Sequence, residues 1–312
     1  MQIGLAYLYT ISKYGYPPSI ENGFKAMKEA RDMGYRNIEL EGLFKDHLIE
    51  VHSRRKEFKD RMSDLGLRCH NFCPVLPEMI DPSKAVRQKA AKTFALGVET
   101  AAYFGADTVH IATFAPKLEF VGGRPYSQGG YSFKKHYRVK VDPEFCWDDF
   151  WKITVEAART GADIAKENGL TMIVEPRVGE TISGTDSLLR LIDHVERDNL
   201  KANFDFAHLH AQFEILPLSV EKLAGKIGGV HVADNDGNST AHMALGQGTI
   251  DFEGTFKALL KHKYNGVIGV DLGLLPDMEQ QCRNAIGFLK KLSKRVGFEF
   301  EEPVRPAKQT AP

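Results

Sequence analysis

The chain has 312 residues, of which 43% are hydrophobic and 26% charged, and its 41 basic side chains balance its 41 acidic ones. This composition is typical of a globular protein with a full core and excludes disordered, collagen-like and coiled-coil chains. The absence of net charge and of a long apolar run argues against nucleic acid and membrane partners. Four cysteines are too few for a disulfide framework and no leader pattern begins the chain, so we expect a cytoplasmic protein.

Short β-rich runs alternate with longer amphipathic segments along the chain. The runs predict eight strands: Ile3 to Tyr7, Asn37 to Leu40, Arg68 to Phe72, Thr108 to Ile111, Met172 to Val174, Ala202 to Phe204, Gly228 to Val230 and Val267 to Val270. The segments predict helices: Glu21 to Met33, Lys45 to Leu65, Ser83 to Phe104, Asp148 to Asn168, Ser187 to Glu196, Leu216 to Leu223, Phe252 to Lys263 and Met278 to Arg295. This alternation predicts an α/β fold, a single (β/α)8 TIM barrel, with a doubly wound sheet as the alternative.

We assign residues 1–300 to one barrel domain and residues 301–312, which lack periodicity, to a flexible C-terminal tail. A long aromatic-rich loop, from Pro116 to Trp147, follows the fourth strand. Its aromatic residues are Phe120, Tyr126, Tyr131, Phe133, Tyr137, Phe145 and Trp147. Long loops in compact domains are usually functional, so we expect a lid or substrate wall, with a packing or oligomer contact as the alternative.

The last four predicted strands each end in a carboxylate or an imidazole, from Glu175, Asp205, His231 and Asp271. Functional groups of a (β/α)8 barrel lie at these strand ends, and the two-residue alternation points all four groups at the barrel axis. Three carboxylates held together would repel one another unless a cation lay between them. The sequence therefore predicts a metal site, and its oxygen-rich ligands suit Mn²⁺ first, with Mg²⁺, Co²⁺ or Zn²⁺ as alternatives.

Glycines precede two of these ligands on the same face, since Gly229 lies two residues before His231 and Gly269 two before Asp271. Small residues there indicate a crowded centre. The alternative for any one ligand taken alone is an ordinary polar strand end near solvent.

Other polar residues are predicted to face the opening at the C-terminal ends of the strands, which we call the mouth of the barrel. Glu39 and Glu41 share the inward parity of the second strand, where either could bind a sugar hydroxyl. Arg177 would hold a substrate oxygen or pair with a neighbouring acid. His70 and His110 end the third and fourth strands. Each either faces the mouth or is a core histidine whose hydrogen bonds are made inside the protein.

One further histidine and two cysteines lie in or next to these strands. His208, three residues after Asp205, would be a metal ligand or a substrate contact. Cys69 and Cys73 share the face opposite His70, so we expect both to pack under helices.

Four segments carry a resemblance to a known group of barrels. They read Ile173-Val-Glu175-Pro, Asp205-Phe-Ala-His208, Gly229-Val-His231-Val-Ala-Asp234 and His242-Met-Ala-Leu-Gly-Gln-Gly248-Thr-Ile-Asp251-Phe. The chain resembles the xylose isomerase-like superfamily, which comprises sugar isomerases and epimerases, related lyases and the endonuclease IV repair enzymes. The resemblance implies that the four strand-end groups bind one divalent metal that holds adjacent substrate oxygens, while carboxylates move a proton next to a carbonyl. Glu175, Asp205 and His231 match this pattern, whereas the fourth position, usually Glu, is Asp271 here.

The shorter Asp271 makes epimerisation by two opposed carboxylates less favourable. Enolisation followed by loss of a group at the β-carbon needs only one polarised carbonyl and one base. The resemblance extends to the catalytic α-subunit of C-glycoside deglycosidases, which removes an aryl group from a 3-keto sugar in this way, and the aromatic loop could supply the wall for such an aglycone. It also implies a small β-rich partner subunit, with a homo-oligomer as the alternative.

Two other classes of protein remain as alternatives, a DNA repair enzyme and a barrel that binds sugar without catalysis. The repair enzymes' three-metal cluster resembles the set His70, His110, Glu175, Asp205, His208, His231 and His242. Against that interpretation, Thr240 replaces an Asp of their pattern, Asp271 replaces the final Glu, and basic residues are not in excess. The other class is a sugar-binding barrel without catalysis.

The sequence thus predicts a metal-dependent enzyme that removes a proton beside a carbonyl in a carbohydrate or aryl glycoside. Elimination from a 3-keto glycoside is preferred over isomerisation or epimerisation of a free ketose. The candidate bases are Glu175, His110 and His208. The candidate substrate contacts are Glu41, His70, Arg177 and His242.

Overall fold

The computed structural model describes residues 1–128 and 130–301. Eight parallel strands close into a barrel in which each strand pairs with its neighbours in the chain and the last pairs with the first. The strands are β1 Gln2–Leu5, β2 Asn37–Leu43, β3 Arg68–Val75, β4 Thr108–Ile111, β5 Thr171–Val174, β6 Leu200–Asp205, β7 Ile227–Val232 and β8 Val267–Val270. The predicted (β/α)8 barrel is therefore confirmed, and the doubly wound alternative is wrong.

The helices surround this barrel. They are α1 Leu8–Tyr14, α2 Ile20–Met33, α3 Phe44–Ser53, α4 Arg55–Leu65, α5 Lys84–Phe104, α6 Trp147–Glu167, α7 Thr185–Val195, α8 Phe206–Ala211, α9 Leu216–Lys222, α10 Phe252–Lys261 and α11 Met278–Val296. The side chain of Ser19 accepts the N–H of Asn22 at the start of α2, and Gly34 ends that helix in the left-handed conformation. The segment predicted as one helix, Lys45 to Leu65, is instead two helices separated at Arg54.

The main core lies between the outer face of the barrel and the helices. Phe72 of β3 packs against Phe104 of α5 with ring centroids 5.8 Å apart. Between two of the helices, Phe206 of α8 packs against Phe256 of α10, with ring centroids 5.9 Å apart. None of the described helices is both long enough and apolar enough to cross a membrane.

A bulge in β3 changes which of its side chains face inward. Cys69 pairs with Ile38 of β2, but Asn71 pairs with Glu39, so the intervening His70 is the extra residue. Beyond the bulge, Cys73 lies beside Glu41, and its pKa is raised by burial and by that carboxylate. The expectation that Cys73 packs under the helices is therefore wrong, because the extra residue reverses the alternation.

The long segment between β4 and α6 includes a short antiparallel pair, Glu119–Phe120 with Val139–Lys140. Tyr126 donates its hydroxyl to the carbonyl of Val178, 2.7 Å away, beyond the end of β5. The N–H of Phe133 donates to the carbonyl of Asn238, 2.9 Å away, in the loop after β7. These bonds attach the segment to the loops at the mouth of the barrel.

The C-terminal end of the described chain returns to the first strand. The N–H of Glu301 donates to the carbonyl of Met1 at 2.9 Å. The rest of the predicted tail, residues 302–312, lies outside the described residues.

Candidate metal centre and active site

The four predicted ligands come together at the C-terminal ends of β5 to β8. The Nδ1 atom of His231 lies 2.8 Å from Oε1 of Glu175 and 3.8 Å from Oδ2 of both Asp205 and Asp271. All four side chains are buried. The strand ends therefore place three carboxylates around one imidazole, as the alternation predicted.

Glu39 of β2 holds the other side of the His231 ring. Its Oε1 and Oε2 atoms lie 3.0 Å and 3.1 Å from Nε2 of His231. Because a carboxylate only accepts, Nε2 carries a proton toward Glu39, and Nδ1, 2.8 Å from Oε1 of Glu175, carries a second one unless a cation takes its place. The side-chain amide of Asn203 donates to the same Oε1 of Glu175 at 2.9 Å. The sequence predicted that Glu39 faces inward and could bind a sugar hydroxyl, and the structure places its carboxylate on the ring of His231, which it holds in position.

The donor set fits a divalent cation. Glu175, Asp205 and His231 each offer a ligand atom, and these atoms all lie within 4.8 Å of one another. Oδ1 of Asp205 accepts the N–H of His208 at 2.6 Å, whereas its buried Oδ2 has no hydrogen-bond partner among the described residues. Burial raises the pKa of Asp205, as expected for a carboxylate among other carboxylates.

Histidines line the outer side of this group. Nε2 of His242 lies 3.3 Å from Oδ2 of Asp271 and 3.6 Å from Oδ2 of Asp205. The ring of His208 contacts the ring of His242, with centroids 4.7 Å apart. The structure therefore places His242, predicted as a substrate contact, directly against two predicted metal ligands.

Arg177 and Tyr126 lie on the solvent side of Glu175. Nε of Arg177 is 3.8 Å from Oε2 of Glu175, and its guanidinium lies 5.0 Å from the ring centroid of Tyr126. Burial, with the nearby Glu39, raises the pKa of Glu41 to about 8, so the Glu41 carboxyl is mostly protonated at neutral pH. Glu41 and Arg177 thus both carry hydrogen-bond donors, and their roles as substrate contacts stay predictions.

The remaining two predicted histidines are buried. Nε2 of His70 lies 3.5 Å from Oε1 of Glu39, and burial lowers the pKa of His70 to about 4. Burial also lowers the pKa of His110, whose Nε2 has no hydrogen-bond partner in the described part of the chain. Both imidazoles are therefore neutral at pH 7, and their roles as substrate contact and base stay predictions.

A closed (β/α)8 barrel with carboxylates and imidazoles gathered at the ends of its strands defines a class of barrels whose site lies at the C-terminal mouth. Residues 27–292 match the family described as "Xylose isomerase-like TIM barrel". The protein belongs to this family.

Three known proteins illustrate what the chain is similar to. Hydroxypyruvate isomerase of Escherichia coli (strain K12) is 30% identical over 137 residues, which are 42% of this chain and 52% of the relative. Inosose dehydratase of Bacillus licheniformis is 25% identical over 218 residues, 64% of this chain and 71% of the relative. The crystal structure of D-allulose 3-epimerase from Methylomonas sp. superposes with a TM-score of 0.71 at 19% identity, covering 94% of this chain and 98% of that one.

These likenesses differ in what they establish. The match to the isomerase spans about half the length of that relative. At 19% identity, the likeness to the epimerase shows the fold alone.

Proposed function

We propose that the protein is a divalent-metal-dependent enzyme that removes a proton from the carbon beside the carbonyl of a sugar-like substrate. The observation that carries this proposal is the convergence of Glu175, Asp205 and Asp271 on Nδ1 of His231. Isomerisation, epimerisation and elimination of a β-substituent can all begin with this proton transfer. The similar proteins, named as an isomerase, a dehydratase and an epimerase, support the same first step.

Glu175, Asp205, His231 and Asp271 would hold the ion. When bound, it would polarise the substrate carbonyl and stabilise the charge that develops as the proton leaves. Among divalent ions, Mn²⁺ suits three carboxylates and one imidazole.

Glu175 is the base that the geometry favours. Its Oε1 faces Nδ1 of His231 and the amide of Asn203, at 2.8 Å and 2.9 Å. Its Oε2 faces Arg177 at 3.8 Å, outside hydrogen-bond distance, so this oxygen is available to a substrate proton. The protonated Glu175 would then return that proton to a substrate carbon, or give it to the leaving group as the bond at the β-carbon breaks.

Elimination from an aryl 3-keto glycoside is the second candidate, and the aromatic groups at the mouth favour it. The ring of Tyr126 lies over Arg177 and 6.5 Å from the ring of His208. Tyr16 and Phe44 form a second ring pair at 5.3 Å, and they are 52% and 39% exposed. These rings offer stacking surfaces to an aryl leaving group, for which a free ketose has no need.

Hydrogen exchange in deuterated water tests the proposal. The Mn²⁺-loaded protein is incubated with D-fructose, with D-allulose and with an aryl 3-keto glucoside, and the carbon beside each carbonyl is followed by NMR. We expect exchange with at least one substrate. A changed ketose would indicate isomerisation or epimerisation, and a released aryl group would indicate elimination. Glu175→Gln should slow the exchange by about 10²-fold or more, whereas Glu119→Gln, in the short antiparallel pair, should not change it.

Two results would count against the proposal. One is the absence of exchange with every substrate in protein shown by elemental analysis to contain the ion. The other is full exchange by the Glu175→Gln variant, which would assign the base to another residue.

A further inference from the structure

A cavity lies at the end of the barrel opposite the candidate metal centre. Its volume is about 280 Å³, and its polar lining comes from Gln2, Asn37, Arg68, Asp107 and Asn265. These residues stand at or close to the first residues of β1, β2, β3, β4 and β8, at the N-terminal ends of the strands. Pockets for small molecules begin at about 300 Å³, so the cavity has room for a ligand of a few atoms.

Asn37 is the buried member of this lining. Its side chain is 0% exposed, and its Nδ2 donates to Oε1 of Gln2 and to the carbonyl of Ile3, both at 3.1 Å. Its Oδ1 is also buried and has no hydrogen-bond partner within the ranges that the structure describes. A buried acceptor without a donor costs free energy, and native proteins contain few of them. The wall at Asn37 therefore calls for a group that donates a hydrogen bond.

Arg68 and Asp107 place opposite charges on the same wall. Nη2 of Arg68 donates to Oδ1 of Asp107, and the guanidinium makes no other hydrogen bond to the described residues. The two side chains are 35% and 57% exposed, so a ligand can reach them from solvent. The other residues of the lining are uncharged. The wall thus carries one positive and one negative group, each with hydrogen-bonding capacity to spare.

A ligand that matches this wall carries both charges itself. A guanidinium binds a carboxylate through paired N–H donors, which makes Arg68 the partner for a negative group. An ammonium group has three donors and no acceptor, so it suits the second oxygen of Asp107 and the unpartnered Oδ1 of Asn37. A simple anion or a simple amine would meet only one of these two needs.

The cavity borders the place where the barrel closes. The first strand, β1, pairs with β8 at four positions but with β2 at only two, Gly4 with Asn37 and Leu5 with Ile38. Toward the N-terminal ends of β1 and β2, the side chain of Asn37 connects the two strands instead. A ligand held by Asn37 and Arg68 would add contacts at this junction, and binding to the folded state alone would stabilise the protein.

We propose that this cavity binds a small zwitterionic α-amino acid. Its carboxylate contacts Arg68, and its ammonium group contacts Asp107 and Oδ1 of Asn37. The site depends neither on the metal centre nor on the sugar chemistry of the proposed function. The competing interpretation is a depression that holds water alone, since the N-terminal end of a (β/α)8 barrel more commonly serves stability than function.

Titration calorimetry of the full-length protein with glycine and with L-serine tests the site. We expect saturable binding of one molecule per chain and a Tm that rises with ligand concentration. Acetate and ethylamine each carry only one of the two charges. Both should bind at least about 10-fold more weakly than L-serine, because each leaves a charged hydrogen-bonding group of the wall without its partner.

Two variants locate the bound amino acid. Arg68→Met should weaken the binding of L-serine by about 10-fold or more, and Asp107→Asn, which keeps the shape of the side chain, should weaken it as well. The matched control is Arg197→Met, which removes the guanidinium of another ion pair near the surface, with Asp163, and should leave the affinity unchanged. The Tm of each variant without ligand shows whether it is folded.

Wild-type protein that binds neither amino acid overturns the inference and leaves water as the occupant of the cavity. Binding that Arg68→Met and Asp107→Asn both retain in full also overturns it, because the amino acid would then lie elsewhere, for instance on an ion at the mouth. Acetate that binds as tightly as L-serine would contradict the contacts of the ammonium group and reduce the site to one for anions.

Discussion

The side chain of Glu39 contacts His231, one of the four proposed metal ligands. Glu39 belongs to β2 and His231 to β7, yet the carboxylate meets the ring at 3.0 Å. A ligating histidine whose second nitrogen donates to a carboxylate is fixed in tautomer and orientation, and its ligating nitrogen becomes more basic. The sequence predicted that Glu39 faces inward, but it could not predict this contact because the two residues are 192 positions apart.

The substitution Glu39→Gln should therefore weaken metal binding while the four ligands stay in place. We expect the dissociation constant for Mn²⁺, measured by calorimetry, to rise about 10- to 100-fold. The matched control is Glu41→Gln, which replaces the next inward carboxyl on β2, mostly protonated at neutral pH, and should change that constant by much less. Equal effects of the two substitutions would show that affinity does not depend on the contact between Glu39 and His231.

Position 229 has no room for a side chain larger than that of glycine, because the space near His231 is already filled. A methyl group at Gly229 would lie 2.5 Å from Oδ1 of Asn203 and 3.0 Å from Cδ1 of Ile173. Asn203 cannot yield freely, because its amide donates to Glu175. The crowded centre predicted from the sequence is thus present.

The substitution Gly229→Ala should lower the free energy of unfolding by about 1–3 kcal/mol, as overpacking of a filled interior does. Urea denaturation measures this change. In Gly287→Ala, on the exposed face of α11, the new methyl meets nothing within 4 Å, so we expect a gain of up to about 1 kcal/mol from helix propensity. A Gly229→Ala protein as stable as the wild type would mean that Asn203 and Ile173 have room to move.

Among the helices and strands, those with a regular sequence pattern were predicted, whereas short helices and a bulge that interrupt the pattern were not. The eight strands were found because alternating and β-rich runs mark each of them. The short helices α1 and α8 were missed, since each has fewer than eight residues and begins close to the end of a strand. The inward orientation of Cys73 was not predicted, because the bulge adds one residue to β3 and no sequence signal indicates it.

Tertiary contacts explain why α1 forms in a segment for which the sequence predicted no helix. The hydroxyls of Tyr9 and Tyr14 donate to Glu29 of α2 at 2.7 Å and 2.6 Å, and Nζ of Lys13 donates to the same carboxylate at 2.7 Å. Burial alone would raise the pKa of Glu29, but these three donors lower it below 4.5. One carboxylate of α2 thus holds three side chains of α1.

The substitution Glu29→Gln should lower the free energy of unfolding at pH 7 by about 1–2 kcal/mol, because it weakens hydrogen bonds to a charged group. The folded-state pKa is below the unfolded one, so the contribution is present above the unfolded pKa and is lost as the pH falls through the folded pKa. Urea denaturation between pH 3 and pH 8 should show the two proteins converging at the acidic end. Glu167→Gln, at an exposed position of α6, is the control, and a gap that stays constant with pH would contradict the role of the charge.

At the scale of the whole molecule, the chain closes a barrel whose mouth concentrates negative charge. The four predicted ligands come from four consecutive strands, and Glu39 joins them from β2 across the barrel. The fold and the meeting of these four side chains followed from the sequence because strand parity fixes which side chains face the axis. The surroundings of the site did not follow, since the positions of Tyr126, Arg177 and His242 depend on how long loops fold over the mouth.

Removal of metal should accordingly lower the stability of the whole protein. A ligand that binds only the folded state at 100 times its dissociation constant adds about 2.7 kcal/mol, which corresponds to a rise of about 4 °C in Tm for a domain of this size. Calorimetric scans of Mn²⁺-loaded protein with and without excess chelator should show this difference. The double variant Glu175→Gln/His231→Ala lacks two of the ligands, so its Tm should not respond to the chelator. A wild-type Tm that is equally insensitive would mean that the carboxylates at the mouth are balanced by the imidazolium groups of His231 and His242, and that the barrel needs no ion to hold them together.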